Sequence, residues 1–114
     1  MNDKYPIQTV TIVPTTTQTN RKINKNIVEK RVEETKKFLA RTFGGYTSVR
    51  GKGGYVSNNG KVIEEQVIEV TSFVKRKIFK QKKEIWFKWL RRKNKDWSQE
   101  SMGIIIENDM FYIK

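Results

Sequence analysis

The chain contains no cysteine, no histidine and only two prolines in 114 residues. Without cysteine there is no disulfide framework, zinc-thiolate site, iron–sulfur cluster or thiol nucleophile. Without histidine there is no Ser-His-Asp triad, no imidazole ligand and no side chain that switches charge near neutral pH by default. No apolar run approaches the roughly 18 residues of a membrane span, and Met1-Asn2-Asp3-Lys4 is unlike a signal peptide. These absences predict a basic domain in the cytoplasm, without membrane span, metal or cofactor. Any chemistry falls to Asp, Glu, Tyr, Ser, Thr, Lys or Arg. The length fits a single domain over residues 1–114, and thirteen aromatics provide core material.

Acidic residues are also scarce: 12 against 24 Lys plus Arg, a net charge of +12. The imbalance is local. Residues 75–95 hold eleven basic residues and the single acid Glu84, a net +10, which leaves +2 for the other 93. Phe79, Ile85, Trp86, Phe87, Trp89 and Leu90 are interleaved with the cations.

Residues 7–13 are almost wholly β-branched and end at Pro14, which predicts a central strand. A threonine-rich loop follows over 15–20. Apolar residues at three- and four-residue steps then predict a helix over 24–43, with Glu33 and Lys37 as an i,i+4 pair and Gly44 as its stop. Asn58-Asn59-Gly60-Lys61 predicts a hairpin turn between arms at 53–57 and 62–74. The second arm fits either period. Its density of Val, Ile and Thr favours a strand, with a bulge near Glu64-Glu65. The basic segment predicts a helix over about 80–95 with Ile85, Trp86, Trp89 and Leu90 on its apolar face. A terminal hairpin follows, turning at Asn108-Asp109. This order predicts an α+β, ferredoxin-like βαββαβ domain: an antiparallel sheet, two helices on one face, and one short extra strand.

Six of the seven glycines lie within residues 44–60, but neither phosphate-loop spacing occurs there. A helix-to-strand turn is the plainer reading, with Arg50 and Lys52 as candidate phosphate contacts. Glu64, Glu65 and Glu69 could hold a divalent metal for phosphodiester cleavage. Alternating strand geometry, however, puts Glu65 and Glu69 on one face and Glu64 on the other unless a bulge intervenes. In the basic segment, Lys80, Lys83, Lys88, Arg91, Arg92 and Lys95 are candidate phosphate contacts, and Phe87, off the apolar stripe, is a candidate base-stacking residue.

Helix, Phe43-Gly44-Gly45-x-Thr47, Gly54-Tyr55, an Asn-Gly turn, Glu64/Glu65 in a strand, and Trp97-Ser98-Gln99-Glu100-Ser101 before the last hairpin follow one another in this chain. The series resembles a group of small phage, plasmid and archaeal-virus α+β proteins to which no activity is attached. The resemblance spans residues 5–113. It implies a compact mobile-element protein in which Tyr55, Glu64 or Glu65, Gln99 and Glu100 share a pocket.

Three functions are open at this point. The leading expectation is a non-enzymatic viral or mobile-element accessory protein that binds DNA or RNA through phosphate contacts of its basic helix. An inhibitor that occludes an acidic face of a host defence enzyme is the alternative. The third is a metal-dependent phosphodiesterase using Glu64, Glu65 and Glu69, with Glu100 and Tyr55 assisting. A homodimer suits each, because an exposed sheet face would need covering.

Overall fold

The computed structural model describes residues 4–16 and 22–114. Of the threonine-rich loop, only Thr15 and Thr16 are among them. The element order is β1 (Ile7–Val13), α1 (Lys25–Phe43), β2 (Thr47–Val56), β3 (Val62–Val74), α2 (Arg76–Asp96), β4 (Met102–Ile106) and β5 (Asp109–Ile113). The strands form one antiparallel sheet in the order β2-β3-β1-β4-β5. β1 is therefore internal, as its apolar residues require. β5 is the short extra strand, at the edge beside β4.

Both helices cover the same sheet face. Val28, Val32, Leu39 and Phe43 of α1 and Trp86, Trp89 and Leu90 of α2 share one core with Ile7, Val13, Ile68, Val70, Val74, Met102 and Ile104. α1 starts where the Asn24 side chain accepts a 2.7 Å hydrogen bond from the Asn26 amide. It stops at Gly44, whose φ of 97° only glycine adopts without strain, and whose amide reaches the Ala40 carbonyl at 2.9 Å. Aromatic contacts lock the helices together. Phe38 stacks on Trp89 at 4.5 Å, and Phe43 meets Trp86 edge-on at 5.6 Å. The indole N–H of Trp86 donates to the Thr11 hydroxyl at 3.1 Å, which allows a polar atom at the core's centre.

Several expectations need correction. Residues 62–74 are a strand, and its register with β2 runs unbroken through Glu64 and Glu65, so there is no bulge. β2 begins at Thr47, because backbone pairing with β3 carries it through three glycines that offer no side-chain signal. α2 begins at Arg76 rather than near residue 80, with Ile78 and Phe79 packed against the core. Ile85, expected on the apolar face, is 48% exposed. Phe87, expected to be exposed, is half-buried with its ring 5.6 Å from that of Trp86. Glu33 pairs with Lys36 rather than Lys37. The last turn falls on Glu107 and Asn108, with Glu107 at a φ of 57°, one residue before the expected position.

The second sheet face carries no helix. Alternation along the paired strands puts Val10, Ile12, Val49, Val67, Phe73, Ile105, Met110 and Tyr112 on it, with Glu65 and Glu69 as its acids. Among the described residues no helix is long and apolar enough to cross a membrane.

Candidate active site

Where β1 ends, the chain leaves the sheet at Pro14 beside β3 and the start of β4. The gap between them is a cleft of about 290 Å³, lined by Ile12 to Thr16, Glu65 to Val67, and Gln99 to Gly103. This is close to the lower end of the size range of small-ligand sites, about 300–1,000 Å³. Its walls combine apolar Ile12, Val67 and Met102 with the carboxylates of Glu65 and Glu100. One glycine lies in its wall: a Cβ at Gly103 would come within 3.0 Å of Met110 Cε and 3.4 Å of Ile12 Cδ1. Beside it, a Cβ at Gly53, opposite Glu65, would come within 2.7 Å of the lining residue Val67 at Cγ2.

A buried cation holds the rim. Arg31, 5% exposed, projects from α1 into the core side of the rim. Its guanidinium donates to the carbonyls of Pro14 at 2.9 Å, Thr16 at 3.4 Å and Trp97 at 3.2 Å, and lies 5.3 Å over the Trp97 ring. Burial lowers its pKa, and the nearby Glu34 carboxylate opposes that shift. The Gln99 side chain donates from Nε2 to the carbonyls of Thr16 at 2.8 Å and Trp97 at 3.1 Å. The Thr15 hydroxyl donates to the Gln66 carbonyl at 3.0 Å. Loop 14–16 is thus tied to α1, β3 and the segment after α2 at once.

Of the residues expected to share a pocket, Glu65, Gln99 and Glu100 meet in this cleft. Tyr55 lies out along β2 opposite Ile63, and Glu64 points to the helix side, where it pairs with Lys52 at 3.4 Å. The carboxylates expected to bind a metal do not converge. Glu64 is on the opposite face from Glu65 and Glu69, which are themselves four strand positions apart, about 13 Å. Among the described residues no group of three potential ligands could hold a metal ion. Arg50 and Lys52 do not join the cations of α2: Arg50 donates from Nη2 to both carboxylate oxygens of Glu29, at 2.7 and 2.9 Å. The sequence reading missed Arg31. Its signal was a basic residue within the apolar stripe that runs through Val28, Val32, Thr35 and Leu39.

A solved structure described as a phage SAM lyase in complex with S-methyl-5′-thioadenosine has a similar overall fold, with a TM-score of 0.63 and 16% identity over 98% of this chain and 92% of that one. The chain has the fold of a phage lyase. No family model and no curated protein matches it. The neighbour is an enzyme, so it does not favour the expectation of a non-enzymatic protein.

Proposed function

We propose that the protein is a lyase acting on S-adenosylmethionine or a closely related adenosyl sulfonium, with the Glu65–Gln99–Glu100 cleft as its active site. The observation that carries this reading is the convergence of two carboxylates, a glutamine and an apolar wall in a small cleft, within a fold shared with a thioadenosine-bound lyase.

The chemistry follows from charge. Release of S-methyl-5′-thioadenosine from the sulfonium breaks the bond between sulfur and the γ-carbon of the aminobutyrate chain, while the substrate's own carboxylate oxygen bonds to that carbon and closes it into a lactone, so that no other reactant is needed. Sulfur keeps the bonding pair, and its positive charge is lost as the reaction proceeds. A carboxylate placed against the sulfonium would stabilise the ground state more than the transition state. Ile12, Val67 and Met102 form the apolar part of a mainly polar lining, and a sulfur seated against them would be in the surround that favours the state with less charge. Glu65 and Glu100 suit the substrate's ammonium group, which stays charged throughout. Together they hold a cationic substrate and release a neutral thioether product.

The ferredoxin-like plan belongs to the same proposal. α1 connecting β1 to β2, α2 connecting β3 to β4, and the order β2-β3-β1-β4 support it. So does the mobile-element origin, for which the support is the motif series alone.

The test is chromatography of S-adenosylmethionine incubated with the purified protein. Thioadenosine release is expected, with KM raised about 10-fold or more in Glu65→Gln and in Glu100→Gln and kcat little changed, the scale of a lost hydrogen bond to a charged group that is bound equally in ground and transition state. Absence of both turnover and S-adenosylmethionine binding would overturn the proposal.

A further inference from the structure

The solvent face of α2 is chemically separate from the cleft, and none of its residues lines that site. Lys77, Lys80, Lys88, Arg91, Arg92 and Lys95 are all exposed. At 100° per residue they fall within a 120° sector opposite Trp86 and Leu90. From Lys77 to Lys95 the row runs about 27 Å at 1.5 Å per residue. None of the six makes an ion pair among the described residues, although Arg76 and Lys93 on the same helix pair with Glu107 and with Glu34 and Asp96. One acid, Glu84, falls within the same sector between Lys80 and Lys88; six cations against one acid still repel one another until a polyanion covers them.

The remaining chemistry narrows the partner. A single strand would need exposed aromatic rings on which bases stack, but Trp86 and Trp89 are in the core and Phe87 is half-buried against Trp86. An anionic membrane would need apolar side chains to insert beside the cations, and this face offers only Ile85. What is left is a rigid, straight display of cations with no base-reading or lipid-inserting element. From this geometry we infer that α2 docks on the phosphate backbone of a double-stranded nucleic acid, without sequence preference. The surface acts independently of the lyase site, so failure of one reading leaves the other standing.

Fluorescence anisotropy of labelled 30-base-pair DNA and RNA duplexes at 50 and 200 mM KCl tests this, the two duplexes distinguishing the source. If four of the six cations engage phosphates, the slope of log K against log salt is about −3.6, a loss of roughly 150-fold across that range. Lys80→Glu/Lys88→Glu/Arg91→Glu is expected to weaken duplex binding at least 30-fold and flatten the slope. Lys4→Glu/Lys61→Glu/Lys114→Glu makes the same change in net charge on other exposed positions and is expected to stay within about threefold of the parent. If the first triple variant does not fold by circular dichroism, Lys80→Gln/Lys88→Gln/Arg91→Gln replaces it. Binding that is absent or indifferent to salt, equal losses in both triple variants, or tighter binding to single strands, to phosphatidylserine vesicles or to an acidic host protein each overturns the inference.

Discussion

Replacing Arg31 by methionine tests whether one buried cation holds the rim of the cleft. The substitution keeps the length and apolar stem of the side chain and removes three hydrogen bonds to carbonyls. Their losses are unequal. Gln99 Nε2 still donates to the Thr16 and Trp97 carbonyls, so Pro14 is the carbonyl left without its donor. A hydrogen bond from a charged donor is worth about 1.5–3 kcal/mol net, and the guanidinium over Trp97 adds about 1 kcal/mol. Methionine, in turn, avoids the cost of burying a charge. The net loss is about 2–3 kcal/mol, which at about 4 °C per kcal/mol for a domain of this size lowers the melting temperature by roughly 10 °C. Calorimetry or circular dichroism reads that directly. The pH dependence gives a second check. Burial depresses the folded-state pKa of Arg31, so the folded state carries a penalty that is relieved only as pH rises through the alkaline range. Between about pH 5 and 9 both folded and unfolded chains keep the proton, and the difference from the parent should stay constant. Arg31→Lys, which keeps the charge but not the fork that reaches both sides of the rim, should fall between the two in stability and in thioadenosine release. A loss under about 3 °C, or one confined to one end of the pH range, would refute the role assigned to Arg31.

Three further outcomes are expected. Gly53→Ala places a Cβ 2.7 Å from Val67 Cγ2 and should cost about 1–3 kcal/mol in urea unfolding, whereas Gly51→Ala, which meets nothing within 4 Å, should cost under about 1 kcal/mol; equal costs would contradict the close approach. Val49, Phe73, Met110 and Tyr112 are exposed on the helix-free sheet face, so light scattering is expected to give a multiple of 13.5 kDa, reduced by Phe73→Asp; a monomeric parent protein would refute this. A protein of net charge +12 repels a cationic substrate at long range while Glu65 and Glu100 attract it at short range. Salt screens the long-range part most, so kcat/KM for S-adenosylmethionine should rise between 50 and 200 mM KCl, and a steep fall would count against the assignment.

How much could be read beforehand depended on whether a feature is local. β1 and α1 announce themselves through a β-branched run stopped by Pro14 and through a 3.6-residue period with a glycine stop, both written within a few residues. The first half of β2 gives no such signal, because Gly51, Gly53 and Gly54 belong to the sheet through their backbone alone. The start of α2 was missed for a related reason: Lys75 at its N-cap makes no side-chain cap, leaving only the buried sides of Ile78 and Phe79 as cues. The cleft is non-local throughout. Glu65 and Glu100 lie 35 positions apart, and the fold brings them together by placing β1 between β3 and β4; motif resemblance pointed to both where periodicity could not.

Net charge does not locate the cleft. The +10 segment is the most conspicuous feature of the sequence, yet the cations on its outer face line no part of the cleft, while its aromatics make the core that positions α2. The residue that organises the cleft is a basic one outside that segment. Arg31 departs from a stripe of apolar neighbours, and burying a charge at such a position costs desolvation that its partners must offset. Three main-chain carbonyls from two separate segments offset part of it, while Nε has no partner among the described residues and the pKa stays lowered. A single charge that interrupts an apolar periodicity therefore marks the rim of the cleft, which the ten basic residues of α2 do not.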